Sequence, residues 1–288
     1  MRNNLHVILT FAFSLLCVEE SLSEPFKYFE INQLPDWDYL MYSQRWPISA
    51  CVAWEEKSKS NVCSLPKDPN TWLVHGLWPT KTGTNGPNKC NSAIHFDPDQ
   101  LEPLLDDLNN HWTNIEGHTK QYSFWSHEWN KHGTCASVLP QLDSVYNYFK
   151  KGLDFNKDFD ILKTLSASNI VPNMNNYTIE DISNAVQKNL GKVPQIECIV
   201  DSKTKDSLLS EIRLCLNKSF ELIDCTSVGL ALSNCSTKKP LKYLKDVPGE
   251  MAKANVDGYN VNPEEILSRE EMLREWYILI KFLIWFTL

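Results

Sequence analysis

Residues 178–216, TIEDISNAVQKNLGKVPQIECIVDSKTKDSLLSEIRLCL, decide the class of fold. Thr178-Ile-Glu-Asp181 has the spacing of a capping box, and Gly191 ends the helix that it opens. Gln195–Val200 and Ser207–Leu216 then read as strands, rich in Ile, Val and Leu. Upstream, Trp37–Trp46 alternates well enough for a strand that Pro47 closes, and Thr71–Leu77 is a second. Between the two strand regions lie a loop over 80–91 and helical patterns over Asp97–Trp112, Ser123–Gly133, Leu142–Leu153 and Asp158–Ala167. Strands at both ends with helices between them make an α+β protein with one domain.

The ends of the chain differ from this middle. Arg2, the apolar run Leu5–Val18 and the small residues Ser21 and Ser23 have the form of a secretory signal over 1–23. Residues 24–236 form the expected folded domain. Residues 237–288 form a Lys-, Glu- and Asn-rich extension ending in the apolar run Trp276–Leu288, too short to span a bilayer and better suited to a packed terminal helix or an interfacial segment. In 288 residues the net charge is −8, the wrong sign for a protein that coats duplex nucleic acid, and stable DNA binding is not expected. No apolar run of spanning length follows the N-terminus, which excludes a polytopic membrane protein.

Behind the signal stand eight cysteines: Cys51, Cys63, Cys90, Cys135, Cys198, Cys215, Cys225 and Cys235. An even number in a secreted chain implies a disulfide framework, and spacing alone does not choose the pairing. Asn176, Asn217 and Asn234 each open a glycosylation sequon, the last with Cys235 as its middle residue.

Two histidine clusters carry the chemistry. The first is Trp72-Leu-Val-His75-Gly-Leu-Trp78-Pro79, in which Gly76 permits close approach of backbone or ligand. The second is Phe124-Trp-Ser-His127-Glu128-Trp129-Asn-Lys131-His132-Gly-Thr-Cys135. On an α-helix His127, Lys131, Glu128 and His132 share an arc of about 140°, with Trp125 and Trp129 as anchors in the core. The two histidines are five apart and diverge, so they do not form the i, i+4 pair of a zinc protease, and no G-x-S-x-G elbow is present. What remains is a metal-free, cofactor-free set of imidazoles, a carboxylate and an ammonium, suited to displacement at a phosphodiester. Glu128 stands four residues before His132, which predicts a raised imidazole pKa, with Lys131 opposing it.

WLVHGLWP and FWSHEWNKHGTC resemble the two active-site segments of the ribonuclease T2 family, in its secreted animal form. The likeness runs from about Trp37 to Cys235 and takes in Gln44-Arg45-Trp46-Pro47. It implies a central antiparallel sheet flanked by helices and an endoribonuclease acting on single-stranded RNA. The ribose 2′-OH would attack phosphorus to give a 2′,3′-cyclic phosphate and then a 3′-phosphate. His132 would be the general base and His75 the general acid. Glu128 and Lys131 would support the phosphorane, and His127 would bind phosphate. Trp78 is the expected stacking platform for a base, and Gln44 a contact in a second base pocket. Many relatives carry an aspartate after the Trp-Pro, where this chain has Thr80.

The same resemblance implies the bridges Cys51–Cys63, Cys90–Cys135, Cys198–Cys235 and Cys215–Cys225. The signal makes the expected protein a secreted one, with endosomal or lysosomal compartments as a further destination, and a monomer is expected. Two other functions compete: a glycoprotein ligand taken up through a cell-surface receptor by its N-glycans, and a nuclease tethered by residues 276–288.

Overall fold

The computed structural model describes residues 35–84, 86–172 and 176–248, so the expected signal and the apolar end lie outside the described residues. Its sheet is built on β5 (Ser207–Leu216), which pairs with β1 (Tyr39–Arg45), β4 (Gln195–Val200) and the short β6 (Leu222–Ile223), all antiparallel. β2 (Leu73–Thr80) forms one edge against β1, and β7 (Leu241–Lys242) lies parallel to β5 and carries the two-residue β3 (Asn176–Tyr177). The expected antiparallel sheet is therefore present, with one short parallel pairing.

All seven residues of β1 are buried because both of its faces are covered. Leu40 and Tyr42 face the main core, while Tyr39 and Met41 pack against the Cys215–Cys225 bridge. The helices that cover the main face are α1 (Pro47–Lys57), α2 (Leu105–His111), α3 (Ser123–Glu128), the three-residue α4 (Thr134–Ala136), α5 (Val145–Asp158), α6 (Ile161–Ser166) and α7 (Ile179–Leu190). At α7 the capping box of Thr178 and Asp181 is fully formed, and Gly191 ends the helix at φ +80°. α5 and α6 open on caps by Ser144 and Asp160, a few residues after the expected starts.

Three departures from the sequence reading have plain causes. Pro47 closes β1 but also opens α1, because a proline at the first helical position loses no hydrogen bond. The pattern over 97–112 is a 3₁₀ helix over Pro98–Leu104 before it becomes α2, since in an α-helix the Pro103 ring would clash with the carbonyl of Asp99. The domain does not end at 236. Trp72 donates its indole N–H to Tyr243 Oη at 2.7 Å, and Trp46 donates to the Leu244 carbonyl at 2.7 Å.

All four expected disulfides are formed. Among the described residues no helix is long and apolar enough to cross a membrane.

Tyr243 is fully buried and packs edge-on to Trp46 at 4.7 Å. Tyr243→Ala should lower stability by about 3–5 kcal/mol through the cavity and the orphaned indole of Trp72. Urea unfolding measures this, and a loss below about 1 kcal/mol would place residues 241–247 outside the cooperative core.

Candidate active site

The site begins with an irregularity in β2. Ser43 pairs with Gly76 and Gln44 with Val74, which leaves His75 as an extra residue without a cross-strand partner. Residues three apart on a regular strand face opposite ways, and a bulge cancels that alternation. The rings of His75 and Trp78 accordingly meet edge to face at 5.0 Å. Backbone carbonyls of this edge strand are taken up from the helical layer: Trp112 Nε1 donates to His75 O at 3.1 Å, and Tyr148 Oη to Leu77 O at 2.9 Å.

Opposite β2 stands α3, which continues as a π turn over Trp129–Gly133. Both tryptophans are anchors, as expected: Trp125 donates to Trp112 O at 2.8 Å and Trp129 to Ile94 O at 3.2 Å. The four ionisable residues do not share one solvated face. Glu128 and His132 are 2% and 9% exposed, whereas His127 is exposed and Lys131 half-buried. The π turn also invalidates wheel angles taken at 100° per residue, since it draws positions five apart toward one side.

Trp78 joins the two elements. Its indole N–H donates to Glu128 Oε2 at 2.8 Å, and its ring lies 5.5 Å from that of His132. This contact requires glycine at 76, where a Cβ would fall 2.0 Å from Trp78 Nε1 and 2.3 Å from Glu128 Oε2. The close approach foreseen at Gly76 is thus made by two of the site's own side chains.

Electrostatics separate the two imidazoles. Burial, with the neighbouring charges of Lys131, His127 and His75 acting in the same direction, lowers His132 to about 3. The expected rise from Glu128 does not occur. Glu128 is committed to Trp78, and His132 Nδ1 is buried with no hydrogen-bond partner among the described residues. Burial in turn pushes the Glu128 carboxyl above its ordinary value, against the pull of His75, the Trp78 hydrogen bond, His127 and Arg45.

His75 instead has a carboxylate of its own. Its Nδ1 lies 2.7 Å from Glu211 Oε1, while Glu211 Oε2 accepts from Ser43 Oγ at 3.0 Å and Arg213 Nε at 2.8 Å. Arg213 also pairs with Glu197 at 3.2 Å and lies over the Trp78 ring at 5.4 Å. Phe124 stacks near His75 at 6.1 Å, and the Arg45 guanidinium lies over the Phe124 ring at 4.5 Å. Burial lowers Arg45 to about 10.

His75, Trp78, Glu128 and His132 are therefore assembled around one indole, with Lys131 and His127 beside them. Gln44 is not part of the site, which corrects the expectation of a base contact. It is 1% exposed on an interior strand, donates to Phe159 O at 2.7 Å and accepts from Asn156 Nδ2 at 3.2 Å. The Cys90–Cys135 bridge ties the loop after β2 to the helical stretch that carries Glu128 and His132, and Lys89 N reinforces it by donating to Lys131 O at 2.8 Å. The further group of His, Cys and acidic donors close enough to share an ion, among the described residues, is Cys51, Glu55 and Cys63, whose two sulfurs are joined in a disulfide.

Similarity to known proteins identifies the family. The family model "Ribonuclease T2 family" matches residues 37–225. The chain belongs to the ribonuclease T2 family. It is 40% identical over 211 residues to ribonuclease Oy of Magallana gigas, covering 72% of this chain and 96% of that one. To ribonuclease T2 of Sus scrofa it is 36% identical, covering 68% and 93%. Among solved structures, human RNase T2 superposes with a TM-score of 0.60 at 31% identity over 72% of this chain and 98% of that one. RNase NT in complex with 5′-AMP gives 0.62 at 27% identity, covering 73% and 98%. The protein is a T2-type ribonuclease, an enzyme that cleaves RNA.

Glu211 and Arg213 went unassigned at the level of sequence, although charged residues at alternate positions of an otherwise apolar strand are a sign of a buried pair. Gly76→Ala should break the Trp78–Glu128 contact and lower RNA cleavage by about 100-fold, as misplacement of catalytic groups by about 1 Å does. Assay of the folded variant checks this; activity near wild type would mean that the contact is dispensable.

Proposed function

We propose that this ribonuclease cleaves single-stranded RNA internally and without a metal, by transphosphorylation followed by hydrolysis. His132 removes the proton of the ribose 2′-OH, the oxygen attacks phosphorus, and His75 protonates the departing 5′-oxygen. The product is a 2′,3′-cyclic phosphate. In the second step the roles reverse: His75 draws a proton from water, and His132 returns one to the 2′-oxygen, leaving a 3′-phosphate. Lys131 and His127 offer positive charge to the phosphate, and Glu128 supports the phosphorane. Trp78 offers partial stacking surface to a base.

The observation that carries this is the placement of two imidazoles on one indole, at 5.0 and 5.5 Å, in opposite electrostatic settings. A base must be neutral before it acts, and burial with nearby cations keeps His132 neutral in acid. A nucleotide complex of a structural neighbour, RNase NT with 5′-AMP, is in keeping with a nucleotide subsite in this fold.

The same depression has a consequence for stability. Between the ordinary histidine value of about 6.5 and the folded value, the unfolded chain binds a proton that the folded chain refuses. The contribution of His132 is complete above that window and is lost as pH falls through it.

Four disulfides fit secretion and passage into oxidising or acidic compartments. Of the three sequons, Asn176 is exposed on a sheet edge and is the favoured glycan site. The side chains of Asn217 and Asn234 are held in hydrogen bonds to Glu221 and to Cys198.

The test is incubation of purified protein with single-stranded RNA in EDTA, with product termini read by mass spectrometry. Wild type should leave cyclic and 3′-phosphate ends, and His75→Ala and His132→Ala should each lose about 10²–10⁴-fold. Ends bearing 5′-phosphate, or full activity in either variant, would overturn the mechanism.

A further inference from the structure

We infer that Glu211 is a positioning residue for His75, fixing the tautomer through which the general acid acts. The inference rests on the acid role given to His75 above. Glu211 reaches the site from β5, 136 residues away in sequence, and approaches His75 from behind the bulge. Both of its oxygens are committed. Oε1 meets His75 Nδ1 at 2.7 Å, and Oε2 accepts from Ser43 Oγ at 3.0 Å and from Arg213 Nη2 at 2.7 Å. Arg213 is itself held by Glu197 and by the face of Trp78. The carboxylate therefore has no freedom to turn away.

Its ionisation is fixed as well. Burial pushes the Glu211 carboxyl up, but the charge and hydrogen bond of His75 together with Arg213 outweigh it and hold the group well below the usual carboxylate range. Arg213 stays on the second oxygen whichever form the ring takes, so the carboxylate remains an acceptor and keeps a hydrogen on Nδ1 in both protonation states of the ring. Nε2 is then the nitrogen that exchanges protons with substrate. In the cleavage step the P–O5′ bond breaks, the Nε2 proton passes to the 5′-oxygen, and the imidazole is left neutral with its Nδ1–H still on Glu211. Among the described residues His132 has no such partner at Nδ1, so the device belongs to one histidine of the pair.

An ordinary structural ion pair would look the same in a stability measurement, so the experiment separates the steps. Two substrates are compared: an RNA dinucleotide, whose 5′-alkoxide needs a proton to leave, and a nucleoside 3′-(4-nitrophenyl phosphate), whose phenolate does not. For Glu211→Gln the expected kcat is lower by about 10–100-fold on the dinucleotide and by less than about 3-fold on the aryl ester, with KM little changed. Glu211→Asp, which keeps the charge, should recover part of the dinucleotide rate. Equal losses on both substrates, or none on the dinucleotide, would overturn the inference.

His75→Ala is run on the same pair. If it is selective for the dinucleotide while Glu211→Gln is not, only the role of Glu211 falls. If His75→Ala loses both substrates equally, the acid role falls and the inference with it. Wild-type protein gives a check that needs no variant: ¹⁵N spectra of neutral His75 should show hydrogen on Nδ1, and hydrogen on Nε2 would contradict the assignment.

Discussion

The hydrogen bond from the Trp78 indole to Glu128 is the contact on which the site depends. It crosses from the edge strand of the sheet to the catalytic helix, and it exists only because residue 76 has no side chain. The bulge at His75 and the π turn before His132 then bring an imidazole from each element against the same ring. Two backbone irregularities, each costly in isolation, are stabilised by indole and phenol donors from the helical layer and by the Cys90–Cys135 bridge. Fold and site are one construction here.

The two histidines stand in opposite environments. His132 is buried beside Lys131 and, among the described residues, has no hydrogen-bond partner at Nδ1, which favours its neutral form. His75 is half-buried and rests on an ionised glutamate clamped by an arginine. Placing two groups of the same kind in contrasting surroundings is a general route to an acid and a base at a single pH. The buried Glu128 and the overlying Arg213 couple the two environments through Trp78, so a change at either end should be felt at the other.

Much of this was legible in the chain. The capping box at Thr178 and the limits of β4 and β5 follow from local chemistry, and local chemistry is what a sequence displays. The disulfide pairing was legible through likeness to a family rather than through spacing, and the roles proposed for the histidines rest on the same likeness. Features set by distant partners were not. Pro47 is equally a strand terminator and a helix opener, and only the packing of α1 decides. Residues 241–247 show little periodicity because a two-residue strand and the buried Tyr243, Leu244 and Val247 beyond it carry their contacts. Four-residue spacing counted Glu128 as a neighbour of His132 but could not see the burial that overrides it. Gln44 looked available because its partners, Phe159 and Asn156, lie more than a hundred residues away.

On the mechanism proposed above, burial around Trp78 holds His132 neutral under acidic conditions. Following the imidazole ¹³C and ¹⁵N resonances of His132 through a pH titration measures this directly. A ring that stays neutral well below the ordinary value of about 6.5 is the predicted result. Titration of His132 at or above that value would contradict the account, because Glu128 or solvent would then be in control of the base.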